Sequence, residues 1–234
     1  MPKRVYLFDV DGTLTPSRGV MDSEFQSFFI RFFSRNNKSG NKTFFVTGSD
    51  KDKTIEQVGK QLWLSVDGSY QNSGNQLYKA GSLIKESDWQ MNASLHLDIL
   101  EILESSHWYG RASNNIEERI GMVNLSTVGR DCTSLLRGEY YQWDKLKGER
   151  QRIVDHLSLR YPDLDFSIGG EISIDIYPKG KDKSQILDDM IGETVFFGAM
   201  CNDGGNDHLI AVKSDKYYNV SDYKNTFDIM KGMG

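Results

Sequence analysis

Val5-Tyr6-Leu7-Phe8-Asp9-Val10-Asp11-Gly12-Thr13-Leu14-Thr15 is the stretch on which the rest of the chain turns. Residues 5–8, with Val10, read as a strand buried on both faces, and Asp11-Gly12 closes it. Asp9 and Asp11 set carboxylates two residues apart where that strand stops. Carboxylates there are costly unless a metal or hydrogen bonds compensate them. A turn that uses Asp and Gly for backbone geometry accounts for Asp11-Gly12. It leaves Asp9, directly behind an apolar run, unexplained.

Outward from this strand, Phe25, Phe28, Phe29, Phe32 and Phe33 recur at helical spacing, with Asp22 or Ser23 placed to cap the helix. Residues 43–46 predict a second buried strand, ended by Thr47-Gly48-Ser49-Asp50. A helix from about Asp50 puts Ile55, Val58 and Leu62 on one face. Strand and helix alternating through short turns predict βαβ units and a parallel sheet. After about Gly81 the texture changes. A helix carries Leu95, Ile99, Leu100, Ile102 and Leu103, and residues 119–126 have strand character. One long amphipathic helix with Leu146, Ile153, Val154 and Leu157 stops before Pro162. Strands at 164–168 and 172–177 join through Gly169-Gly170. That mixture predicts an antiparallel α+β domain. From Lys183 the first pattern resumes: a helix, a buried strand at 194–197, a loop at 198–207, a strand at 217–220 and a helix capped by Ser221. The expected class is α/β, with a discontinuous core of residues 1–81 and 183–234 and an inserted α+β domain at 82–182.

The 234 residues include 28 basic and 33 acidic side chains, a formal net charge of −5. That balance argues against a nucleic-acid partner of the histone kind, although a local basic pocket is compatible with it. Hydrophobic residues at 38% and aromatics at 12% suffice for a buried core. No apolar run approaches the ~18–20 residues of a membrane span, and the first residues lack the apolar stretch of ~7–15 that a signal peptide needs. Cys132 and Cys201 make no disulfide scaffold and no C-x-x-C pair. The expectation is a soluble cytoplasmic protein with reduced thiols and no membrane partner.

Catalytic groups of open α/β sheets gather at the carboxyl ends of strands, and here those ends are polar. Residues 9–15 match the D-x-D-G-T-L-T motif of the haloacid dehalogenase superfamily of phosphotransferases. The resemblance implies that Asp9 attacks phosphorus and becomes an aspartyl phosphate, with Asp11 as general acid and base. A carboxylate nucleophile splits phosphoryl transfer into two steps, a second carboxyl moves the proton, and a divalent cation screens the charges. Thr47-Gly48-Ser49 resembles the family's hydroxyl motif, with Thr47 as the phosphate ligand and Ser49 as the alternative. Taken alone it is ordinary turn chemistry. Lys183 matches the motif lysine that offsets charge on phosphate and Asp9, where a single lysine would otherwise read as surface. Asn202-Asp203-Gly204-Gly205-Asn206-Asp207 resembles the acidic metal loop, against the competing account of a solvated turn. The implied magnesium ligands are Asp9, Asp11, Asp203 and Asp207.

Residues 119–130, Arg-Ile-Gly-Met-Val-Asn-Leu-Ser-Thr-Val-Gly-Arg, resemble the R-N-G-M-x-N-x-S-P-x-G-R signature of eukaryotic-type phosphomannomutases. Residues 169–183, Gly-Gly-Glu-Ile-Ser-Ile-Asp-Ile-Tyr-Pro-Lys-Gly-Lys-Asp-Lys, are similar to that family's G-G-x-I-S-F-D-V-F-P-x-G-W-D-K. The resemblance implies a haloacid-dehalogenase-like core with the insert as a substrate-specificity cap. Arg119, Arg130 and Arg137 would clamp a distal phosphate, Ser173 and Asp175 would bind sugar hydroxyls, and Arg18 would face substrate. Bidentate, planar guanidinium groups suit such a clamp. The resemblance also implies mannose 6-phosphate and mannose 1-phosphate as substrates, with glucose phosphates as the alternative, Mg²⁺, a hexose 1,6-bisphosphate activator, domain closure, and a homodimer formed through the cap. A sugar phosphatase, or a catalytically impaired phosphosugar-binding protein, are the rival expectations. The second draws on a departure: the family's F-F-G-D-K-T reads Phe196-Phe197-Gly198-Ala199-Met200-Cys201, so the usual magnesium ligand is a methyl group. Lys213 stands where the family places an acid for a second cation, and Thr127 replaces the signature proline.

Overall fold

The computed structural model describes residues 3–17 and 19–233. The chain divides into two compact units: one takes it up to Glu86 and again from Lys181, and the other is Ser87–Gly180.

In the first unit the elements are β1 (Arg4–Phe8), α1 (Ser23–Lys38), β2 (Lys42–Val46), α2 (Lys51–Val58), α3 (Lys60–Ser65), β3 (Gly68–Gln71), β4 (Gln76–Lys79) and β5 (Ser82–Glu86). The second unit contributes α4 (Ala93–Ser105), β6 (Ile116–Arg119), β7 (Met122–Leu125), α5 (Ser134–Lys147), α6 (Glu149–Arg160), β8 (Leu164–Gly169) and β9 (Ser173–Pro178). The first unit then resumes with a 3₁₀ segment (Lys183–Asp189), β10 (Glu193–Gly198), α7 (His208–Lys213), β11 (Lys216–Asn219) and α8 (Tyr223–Gly232).

The core sheet has the order β11-β10-β1-β2-β3-β4-β5, parallel from β11 to β3 and antiparallel from β3 to β5. The chain runs from β1 to β2 on one side and returns to β10 on the other. The topological switch point therefore falls between β1 and β10, where ligands of doubly wound sheets bind. Strand β1 is apolar throughout because both faces are covered. Tyr6 and Phe8 pack with Phe25, Phe29 and Phe32 of α1, while Val5 and Leu7 pack with Ile186 and Ile210. Full burial of each such phenylalanine contributes about 1.5–3 kcal/mol, so the α1 stripe is ample to dock the helix. Asp22 caps it, accepting from the N–H groups of Glu24 and Phe25.

The second sheet, β6-β7-β9-β8, is antiparallel throughout. Period-two alternation gives it two faces. Val123, Leu125, Ile174 and Ile176 pack under Leu95, Ile99, Leu103, Ile153 and Leu157 of α4 and α6. The intervening Asn124, Ser173 and Asp175 belong to the other face.

Several elements differ from expectation. Residues 82–86, assigned by the sequence to the insert, pair with β4 as the edge strand of the core sheet, so the units divide at Glu86 rather than at 81. The single long helix is two. Gly148, at φ +64, ends α5 with its N–H on the Asp144 carbonyl and starts α6. The helix after Asp50 also breaks, at Gly59 with φ +83. The segment from Lys183 is 3₁₀ rather than α-helical, and the last helix is capped by Asp222 rather than Ser221.

Candidate active site

Strand β1 delivers Asp9 to the switch point. Its N–H bonds the Phe197 carbonyl at 2.9 Å, which continues the β1–β10 ladder by one residue. The Asp9 side chain is 8% exposed. Lys183 Nζ donates to Asp9 Oδ1 at 2.8 Å, and Thr13 Oγ1 donates to Oδ2 at 3.1 Å. Lys183 also donates to Asp207 Oδ1 at 2.6 Å, while the other Asp207 oxygen accepts from the Met200 N–H at 3.2 Å. Burial, and then the negative charge of Asp207, push the Asp9 carboxyl up to about 6 against the pull of Lys183. Burial works against the Lys183 ammonium, but the two carboxylates outweigh it and raise its pKa, so it is held charged.

Asp11 follows in the turn, where Gln57 Nε2 of α2 donates to its Oδ1 at 2.8 Å. Thr47 comes directly after β2; its hydroxyl oxygen is buried and accepts from the Ser49 N–H at 3.0 Å. Asp9, Asp11, Thr47 and Lys183 thus all belong to the carboxyl-end loops of the core sheet or to the 3₁₀ segment that faces them. Arg18 lies outside the described residues.

The oxygen donors available to a magnesium ion are fewer than the sequence suggested. Asp207 bonds Lys183 and the Met200 N–H, as Asp9 bonds Lys183 and Thr13, but Asp9 lies in the motif turn with Asp11 while Asp207 is in the last loop. The Asp203 side chain is fully exposed, with His208 Nε2 4.0 Å from it. Position 199 abuts the motif turn, since a Cβ built on Gly12 would lie 3.6 Å from that of Ala199, but it offers only a methyl. Among the described residues, no group of three acid, histidine or cysteine side chains is arranged around a metal. Magnesium is usually held by one or two carboxylates and several waters, and Asp9 with Asp11 supplies that minimum. The site also carries three carboxyl groups, on Asp9, Asp11 and Asp207, against the single ammonium of Lys183, which suits a cation. The donor set is compatible with the ion, which Asp9 and Asp11 would hold.

The second unit assembles its own charged cluster on the sheet face left uncovered by α4 and α6. Glu117 Oε2 lies 2.8 Å from Arg119 Nη2 and 2.5 Å from Arg130 Nε. Arg130 Nη1 donates to Asn124 Oδ1 at 2.9 Å and to the Ser173 hydroxyl at 3.2 Å. Asn124 Nδ2 donates to Asp175 Oδ1 at 2.5 Å. Burial lowers the Arg130 pKa, and the charges of Arg119 and Arg137 lower it further, so the three guanidinium groups are electrostatic neighbours. Burial raises the Asp175 carboxyl, opposed by Asn124 and the arginines. Arg137, on α5, has Glu171 at 4.0 Å. All five residues singled out by the sequence in this unit gather here. Glu117 and Asn124, which hold the arginines in place, were not singled out, nor were Thr13 and Gln57 in the core. Asn124 stood inside the quoted cap signature and Thr13 inside the opening motif, so these two had a readable signal; Glu117 and Gln57 had none.

The fold and the core site define a haloacid-dehalogenase-like protein. The structure is similar to a haloacid dehalogenase-like hydrolase from Bacteroides thetaiotaomicron, with a TM-score of 0.62 and 12% identity over 99% of this chain and 100% of that one. It is also similar to the C-terminal domain of trehalose-6-phosphate phosphatase from C. albicans, with a TM-score of 0.63 and 14% identity, covering 99% and 92%. Identities so low speak for the fold alone. The sequence narrows it further. The model of the eukaryotic phosphomannomutase family matches residues 30–232. Phosphomannomutase of Saccharomyces cerevisiae is 36% identical over 225 residues, covering 90% of this chain and 86% of the yeast protein. That of Arabidopsis thaliana is 35% identical over 225 residues, covering 90% and 87%. The chain belongs to the eukaryotic phosphomannomutase family.

Proposed function

We propose that this enzyme interconverts mannose 6-phosphate and mannose 1-phosphate through an aspartyl phosphate on Asp9 and a hexose 1,6-bisphosphate. The observation that carries the proposal is the Asp9–Lys183–Asp207 chain, buried at the switch point, in a protein whose other unit holds a separate arginine cluster. A phosphatase needs one phosphate site, whereas a mutase needs one for each end of the sugar.

An Asp9 oxygen attacks phosphorus of the bisphosphate and the bond from phosphorus to the sugar oxygen breaks. Asp11 gives its proton to that leaving oxygen. In the return step Asp11 takes the proton from the free hydroxyl of a hexose monophosphate, whose oxygen attacks the aspartyl phosphate, forming a bisphosphate and releasing Asp9. With the bisphosphate turned end for end between the two steps, the phosphate has moved from one sugar position to the other. Lys183 offsets charge on Asp9 and the phosphoryl oxygens throughout, and Thr47, with Ser49 beside it, holds a phosphoryl oxygen. Arg119, Arg130 and Arg137 bind the phosphate that is not reacting, Ser173 and Asp175 bind sugar hydroxyls, and Arg18 contacts substrate. Magnesium, held by Asp9 and Asp11, would screen the carboxylates from the phosphate charge. The proposal extends to a cytoplasmic homodimer formed through the cap, consistent with Leu97 and Leu100 standing exposed on α4.

The test is one incubation with mannose 1-phosphate, Mg²⁺ and hexose 1,6-bisphosphate, in which mannose 6-phosphate and free phosphate are measured together. Isomerised sugar should outpace free phosphate. Predominant free phosphate would make it a sugar phosphatase, and neither product, with binding retained, would make it an impaired phosphosugar-binding protein.

A further inference from the structure

Among the cap arginines that the proposed mechanism leaves idle, Arg150 is buried. Arg150, in the first turn of α6, is 5% exposed, and its partner Asp144 is 7% exposed. The left-handed Gly148 turns the corner between α5 and α6 and folds Arg150 back onto Asp144. The Arg150 N–H meets Asp144 Oδ1 at 2.9 Å, and its Nε meets Oδ2 at 2.7 Å. The fork does not stop there. Nη1 donates to the carbonyl of Gly170 at 3.1 Å and to those of Gly169 and Ser173 at 3.4 Å. These carbonyls belong to the β8–β9 turn, and the Ser173 hydroxyl on the same residue accepts from Arg130. Asp175, two residues on, bonds Asn124, which in turn holds Arg130.

We infer that Arg150 is a positioning residue for the cap cluster, locking the β8–β9 turn so that Ser173, Asp175 and Arg130 are set before substrate arrives. The inference rests on the reading of that cluster as the site of the non-reacting phosphate. Stability alone does not account for the pair, because replacing a buried ion pair by apolar residues of similar volume is often neutral or favourable. Geometry does. A planar guanidinium with five donors can bond a carboxylate along one edge and backbone carbonyls along another, which the compact ammonium of lysine cannot do.

Two variants separate positioning from bulk stability. Arg150→Lys keeps a charge for Asp144 but loses the fork to the turn. Arg150→Met with Asp144→Leu removes both charges, leaving none buried alone. In the full-length enzyme both should melt close to the parent and still label Asp9 from acetyl phosphate, a donor with no second phosphate. Both should raise KM for mannose 1-phosphate by about tenfold, the loss expected for a displaced charged hydrogen bond, with a smaller change in kcat. Parental KM in a folded variant overturns the inference; should the double variant not fold, Arg150→Lys decides. Arg130→Gln is the control. If it leaves KM unmoved, the reading of the cluster has failed; if it raises KM while the Arg150 variants do not, only the positioning role has failed.

Discussion

The two units hold charge in opposite ways. In the core, the side chains of Asp9, Lys183 and Asp207 are 8%, 2% and 1% exposed, and each bonds another group of the trio or its turn. In the cap, the side chains of Arg119, Arg130 and Arg137 are 22%, 26% and 19% exposed, with Glu117 the anionic partner of the first two and Glu171 that of the third. A reacting carboxylate gains from fixed dipoles and charges in a dry setting, where they cost no reorganisation at the moment of reaction. A binding guanidinium must keep donors available for a ligand. The core carries its charges already paired with one another, and the cap holds its guanidinium groups in place while leaving part of each exposed.

That contrast predicts a ranking of effects. The largest falls on Asp9. Asp9→Asn should abolish both turnover and the acid-stable labelled enzyme while the protein remains folded, because an amide oxygen is no nucleophile toward phosphorus. Ordinary turnover in that variant would break the assignment of the core as the reacting unit. Asp11→Asn comes next. As proton carrier, Asp11 should account for about 10²–10⁴ in rate with little change in substrate affinity. A lower melting temperature with an unchanged rate would instead make Asp11 a turn residue tied down by Gln57.

How much of this could be read from the sequence divides along the same line. The core announced itself because a strand buried on both faces writes a continuous apolar run, and a carboxylate at its end has no bland explanation. Strands β3 and β4 gave no such run: Gly-Ser-Tyr-Gln and Gln-Leu-Tyr-Lys are short and polar, and they form because β2 and then each other offer a ladder. The break at Gly148 was masked by apolar residues that keep helical spacing across it, although Gly in the left-handed region is a common way to end a helix. Asp207 was legible as an acid of the last loop. Its commitment to Lys183 was not, because the partners are 24 residues apart and meet only through the fold. Pairing of that sort leaves no local pattern, and the same holds for Arg150 with the turn at 169–173.

A smaller effect should follow in the cap. Arg130→Gln removes a charged donor from the phosphate cluster, and charge-assisted hydrogen bonds contribute about 1.5–3 kcal/mol. KM for mannose 1-phosphate should rise roughly 10–100-fold, while labelling of Asp9 by acetyl phosphate stays as in the parent. Steady-state kinetics alongside phosphoenzyme labelling checks it. Lost labelling would mean that the two units do not divide the work as proposed.

The smallest effect concerns Ala199, where the core departs from the family's motif. This residue sits against the Gly12 turn, beside the carboxylates that would hold magnesium, and contributes no oxygen. Restoring a carboxylate with Ala199→Asp adds one direct ligand and one negative charge. Even outer-shell losses typically cost about 10–100-fold in metal affinity, so the variant should need roughly tenfold less Mg²⁺ for half-maximal activity. The added charge joins Asp9, Asp11 and Asp207 in the core site, where Lys183 is the cation bonded to these carboxylates among the described residues. Without metal the variant should therefore melt below the parent, and saturating Mg²⁺ should raise its melting temperature more than the parent's, because an ion that binds only the folded state stabilises it by mass action. Thermal melts in chelator and in Mg²⁺ read this independently of turnover. Identical melts and overlapping titrations would show that Asp9 and Asp11 already give this core all the metal affinity its geometry allows.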